Sequence, residues 1–147
     1  MTDRCGRRLF QAGALLLLLL GIVHSLSLFE KLIPANATEK QLLDLMVNYK
    51  FNLMGTTRSM ADLLRGFSIS FMLSVLGLGI LDLLLSRERV ALLKRLALIN
   101  AAWLAAMTGV SLRYFFAAPT SFLTAPLLFF TLAWLKLPGE RPRRELA

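Results

Sequence analysis

Three ionisable side chains, His24, Asp62 and Arg113, each stand toward one end of a separate apolar run. A neutral imidazole beside a carboxylate can pass a proton. A cationic rim can hold an anionic group such as a lipid phosphate or a carboxylate. Arg58 and Arg65 flank Asp62 at i−4 and i+3, the spacing of helical neighbours, and Glu30 falls at the same end. These residues suggest an outward-facing polar pocket walled by His24, Asp62, Arg58, Arg65 and Arg113. They also have a plainer reading. Asp62 then makes helix-end ion pairs with Arg58 and Arg65, Arg113 is an interfacial anchor, and His24 hydrogen-bonds a neighbouring helix.

Other chemistry finds little support. Ser25, His24 and Asp62 supply the residue types of a hydrolase triad, but Ser25 and His24 are adjacent and diverge by about 100° on a helix. The chain has no H-E-x-x-H, glycine-rich phosphate loop or paired-carboxylate signature. One cysteine, Cys5, and one histidine leave neither an intrachain disulfide nor a Cys/His metal cluster. No metal or cofactor is expected, and the balance favours a non-enzymatic protein.

The elements that position these residues are apolar runs at Phe10–Phe29, Leu63–Leu85, Leu96–Leu112 and Phe122–Leu135. A bilayer core takes about 20 such residues as a helix, with a range of roughly 17–25. In a chain of 147 residues, 56% hydrophobic, four such helices leave no room for a separate soluble domain. The expected fold is a single all-α domain over 1–147, an integral membrane four-helix bundle with an extra amphipathic helix in the first extracytoplasmic loop.

The net charge of +8 sits at the ends of these runs, where it sets orientation, not along a face that would bind nucleic acid. Arg4, Arg7, Arg8, Arg87, Arg89, Lys94, Arg95, Lys136, Arg141, Arg143 and Arg144 share one side if there are four spans. That places both termini in the cytoplasm and Glu30–Ala61 outside. A rival reading makes the first run a signal peptide cleaved at Val23-His24-Ser25, although the run continues to Phe29.

Within the outer segment, Thr38-Glu39-Lys40-Gln41 has a capping-box pattern with Thr38 as N-cap. Leu42, Leu45, Met46, Tyr49 and Leu53 follow at helical spacing, predicting an amphipathic helix over about 39–53, broken by Gly55-Thr56-Thr57. Small residues mark helix contacts in lipid. They predict contact faces along Gly13, Leu17, Gly21 and His24, along Asp62, Gly66, Ser70, Leu73 and Gly77, and along Ala102, Ala106, Gly109 and Arg113. Asp82, near Arg87 and Arg89, reads as an interfacial anchor, and Asn100 as helix glue or a polar element of the bundle interior. Tyr114, Phe115 and Phe116 read as an aromatic belt. Pro126 predicts a kink or irregular start to the last span, and 138–147 a disordered basic tail.

At the second run, Arg58-Ser59-Met60-Ala61-Asp62-Leu63-Leu64-Arg65-Gly66-Phe67-Ser68 fits R-S-x-x-D-x-x-x-G-F-S. With Gly21-Ile22-Val23-His24-Ser25 and Ser111-Leu112-Arg113-Tyr114-Phe115, it resembles small bacterial four-helix inner-membrane proteins, DoxX-like in size and layout. The resemblance implies a bacterial plasma membrane and four spans, and supplies no activity. The expected role is an accessory subunit or a binder of a lipid-like molecule, partnered by membrane lipid, a second copy or another membrane protein. The alternative is an intramembrane enzyme or proton-linked carrier using His24 and Asp62.

Overall fold

The computed structural model describes residues 2–139. Of the tail predicted over 138–147, Glu140–Ala147 lie outside the described residues. The chain is mostly helical. It runs α1 (Thr2–Ser27), α2 (Ala37–Asn48), β1 (Lys50–Leu53), β2 (Thr56–Ser59), α3 (Met60–Leu85), α4 (Val90–Tyr114) and α5 (Ala117–Lys136). Helices α1, α3, α4 and α5 are each long and apolar enough to cross a membrane. They extend beyond the apolar runs because Arg, Lys, Met and Ala at the run ends are good helix formers. Lys94 and Arg95 accordingly lie inside α4, not before it.

Two compact units divide the chain. Of the described residues, the first comprises 2–20 and 75–139, the second 21–74. In the first, α1, α3, α4 and α5 pack as a bundle. Phe10 meets Phe130 edge-on, with ring centroids 5.3 Å apart, an arrangement worth about 0.5–1.5 kcal/mol beyond its buried area. Gly13 lies beneath the Phe130 ring, where an added Cβ would come within 3.0 Å of it. On α3, Gly79 admits Leu18 and the Ala14 carbonyl: a Cβ there would stand 2.8 Å from Leu18 Cδ2 and 3.1 Å from Ala14 O. The core adds Leu17, Val75, Leu93, Ala97, Leu104 and Ala133.

The predicted contact faces fare unequally. Gly13, Leu17 and Gly21 are buried, as expected for a seam. Gly66, Ser70, Leu73 and Gly77 are exposed, and so are Ala102, Ala106, Gly109 and Arg113. The buried side of α3 is Val75, Gly79 and Asp82; that of α4 is Leu93, Ala97, Asn100, Ala101, Leu104 and Ser111. Spacing of small residues identifies a face that can pack closely, and several such faces coexist on helices this rich in Gly, Ala and Ser. Which one packs is decided by shape and by polar partners. Pro126 lies in the third turn of a continuous α5, not at its start, because Pro119 opens the helix in its first turn, where a missing N–H costs little.

The second unit holds the end of α1, α2, the hairpin and the first half of α3. The N-cap of α2 is Asn36, two residues earlier than predicted. Asn36 Oδ1 accepts from the Glu39 N–H at 2.8 Å, and Glu39 Oε2 accepts from the Ala35 N–H at 2.6 Å. Helix α2 stops at Asn48, not near Leu53, and a two-stranded antiparallel hairpin follows. Its two-residue turn has Met54 at φ 50° and Gly55 at φ 84°, the pair of positive φ values of a type I′ turn. Asn52 Oδ1 accepts from the Gly55 N–H at 2.9 Å, fixing that turn. Alternation and β-propensity in Tyr49–Leu53 therefore override the helical spacing that Leu53 would have continued.

Candidate functional site

Asp62 is a helix cap. Its Oδ2 accepts from the Ser59 N–H at 3.0 Å, while Ser59 Oγ accepts from the Asp62 N–H at 3.2 Å. This is a capping box, S-x-x-D, which satisfies donors left open at the start of α3. The ion pair with Arg58 predicted from i−4 spacing assumed a helix that Arg58 does not occupy. Arg58 lies on β2, and its guanidinium donates to the Thr57 carbonyl at 2.8 Å. The hairpin brings in a cation the spacing did not suggest. Lys50 pairs in register with Ser59 and, with Arg58, places positive charge near the Asp62 carboxylate. Arg65 is exposed on α3.

His24 occupies the last turn of α1. Its ring meets Phe71 of α3 edge-on, with centroids 5.0 Å apart. Phe71 stands nine residues beyond Asp62, about 14 Å along a helix. The imidazole thus docks more than two turns deeper on α3 than the carboxylate. Its Nε2 is buried and has no hydrogen-bond partner among the described residues. Ser25 and Ser27 are committed to their own helix: Ser25 Oγ donates to Ile22 O at 2.6 Å and Ser27 Oγ to His24 O at 2.7 Å. Arg113 is exposed in the last turn of α4 and belongs to the first unit. The structure thus groups Asp62 with Arg58 and Lys50, and sets His24 apart on Phe71.

A denser polar centre, of which only Asn100 was anticipated as an interior polar residue, lies at the basic end of the first unit. Asp82 is 1% exposed, and its Oδ2 accepts from Asn100 Nδ2 at 2.7 Å. It is therefore not an anchor paired with Arg87 and Arg89, which are exposed. One turn on, buried Ser86 takes a hydrogen bond from Gln11 Nε2 at 3.1 Å. Arg7 donates to the carbonyls of Ser86 and Glu88, the latter at 2.9 Å. Lys94 Nζ donates to the Leu137 carbonyl at 2.8 Å. These side chains cap the α3 end and tie α1, α3, α4 and the α5 end together.

The available signal was positional. Asp82 follows Val75 and Gly79 at i+7 and i+3, and Asn100 follows Ala97 at i+3, so both fall on the packed stripe. Among the described residues no group of three or more His, Cys, Asp or Glu could hold a metal. No protein-family model, curated protein or solved structure matches the chain.

Proposed function

We propose that this chain is a non-enzymatic multi-pass protein of a bacterial plasma membrane, DoxX-like in layout, with both termini cytoplasmic. In this reading it is an accessory subunit or binds a lipid-like molecule at its outer, His24 end. The observation that carries it is the buried His24 Nε2, a polar atom held in an apolar setting without a partner. Such an atom costs about 1–3 kcal/mol unless something satisfies it, and a hydroxyl, carboxyl or phosphate of a bound molecule would do so. Arg58 and Arg65, of the same unit as His24, supply cationic character for an anionic group. Helix α2 has no buried residue, and Leu42 and Leu45 are exposed beside Glu39, Lys40 and Asp44. That composition suits an amphipathic helix lying on the outer membrane surface.

The rival, an enzyme or proton-linked carrier, needs His24 and Asp62 to exchange a proton, and their separation along α3 weighs against it. Native mass spectrometry of detergent-purified protein tests the proposal, comparing wild type with His24→Phe and Asp62→Asn. A small-molecule adduct on wild type, lost from folded His24→Phe, is the expected result. Equal spectra for all three proteins would remove the binding reading and leave that of an accessory subunit.

A further inference from the structure

The three arginines of the first turns of α1 are used differently. Arg7 is spent on the carbonyls of Ser86 and Glu88. Arg4 and Arg8, one helical turn apart, are exposed, and among the described residues neither has a hydrogen-bond or ion-pair partner. Both line a groove of about 550 Å³ together with Cys5, Leu9 and Ala12 of α1 and Phe129 of α5. The groove is graded in polarity. Arg4–Ala12 spans about 12 Å of helix, and over that length its wall changes from two guanidinium groups to aliphatic and aromatic side chains. The apolar part belongs to helices long and apolar enough to cross a membrane, so in a bilayer an acyl chain would lie against it.

We propose that this groove binds an anionic phospholipid, its phosphate on Arg4 and Arg8 and an acyl chain along Leu9, Ala12 and Phe129. Paired guanidinium groups suit a phosphate through charge-assisted, bidentate hydrogen bonds. A basic pocket between membrane helices is a recurring setting for such headgroups. The charge alone would draw any phosphate; the apolar wall selects a lipid. This site is independent of the His24 end.

The test is native mass spectrometry of the full chain titrated with phosphatidylglycerol or phosphatidylcholine, for wild type, R4Q/R8Q and the charge-matched control R87Q/R89Q. Phosphatidylglycerol retention should fall about tenfold or more in R4Q/R8Q, which removes both charge-assisted contacts to the phosphate, and stay within about twofold of wild type in R87Q/R89Q, whose arginines do not line the groove. Phosphatidylcholine should bind weakly to all three. Ala12→Phe, which fills the apolar part without changing charge, should also lower phosphatidylglycerol retention. Equal losses in R4Q/R8Q and R87Q/R89Q would reduce the effect to general surface charge and overturn the site. Displacement of the lipid by millimolar inorganic phosphate, or full retention in Ala12→Phe, would overturn the acyl-chain assignment.

Discussion

The two units differ in the reach of their polar side chains. Besides local bonds from Thr and Ser to carbonyls one turn back, the first has hydrogen bonds between residues far apart in sequence: Arg7 to Ser86 and Glu88, Gln11 to Ser86, Lys94 to Leu137, and Asn100 to Asp82. In the second, those among the described residues stay local: Asn36 with Glu39, Asn52 with Gly55, and Ser59 with Asp62. Long-range bonds fix how helices meet, whereas local bonds fix where a helix or turn begins. The first region therefore holds a tertiary arrangement. The second holds well-defined pieces with much surface uncovered, including most of α2 and the fully exposed Met54. Regions with few buried contacts open at low free-energy cost, a property suited to a surface that receives a ligand or a partner.

The contrast can be broken most strongly at Gly79. Val in its place would force a side chain into Leu18 and the Ala14 carbonyl. The backbone oxygen cannot swing away, so a loss of about 1–3 kcal/mol or more is expected. Gly77→Val, whose Cβ meets nothing within 4 Å, should leave thermal unfolding in detergent nearly unchanged. Similar losses for both would mean that α3 packs through the other face.

Asn100→Leu should come next, at about 1–3 kcal/mol, because it deprives a buried carboxylate of its donor. A double-mutant cycle with Asp82→Leu should return a coupling of about 0.6 kcal/mol, and at most about 1.7, as for side-chain hydrogen bonds between membrane helices. A coupling of zero would separate the two residues energetically.

Smaller effects are expected in the second unit. Ser59→Ala removes the α3 cap and should cost about 1 kcal/mol. Its signature is faster amide exchange confined to the first turn of α3. Asn36→Ala should do the same at α2, with a smaller effect on global unfolding because α2 buries no residue. Protection lost across the whole chain in either variant would show that the local bonds carry tertiary structure after all.

The four long helices were legible because an apolar run long enough for a bilayer has few other folds open to it. The Gly13–Gly21 seam was legible too. The seams of α3 and α4 were not, since small residues lie on both their exposed and buried faces. Asp82 misled because a carboxylate next to Arg87 and Arg89 looks like an interfacial pair. Its partner Asn100 is distant in sequence, and only packing brings the two together. The hairpin was hidden by Leu53, which continues the helical stripe, although Asn52 and Gly55 carried the turn signal. Of the candidate site, Asp62 was legible as a residue but its capping bonds with Ser59 were not, because Ser59-x-x-Asp62 was read for its charges and not as a cap.

Polar groups at the basic end hold the fold, and the proposed role of the His24 end is to receive a bound molecule. Unfolding temperature and retained adduct mass, measured together on Asn100→Leu and His24→Phe, test this division most directly. Asn100→Leu should lower the unfolding temperature while its folded fraction keeps the adduct. His24→Phe should unfold like wild type and lose the adduct. The opposite pattern, or a stability loss in His24→Phe as large as in Asn100→Leu, would contradict it and make His24 a structural residue.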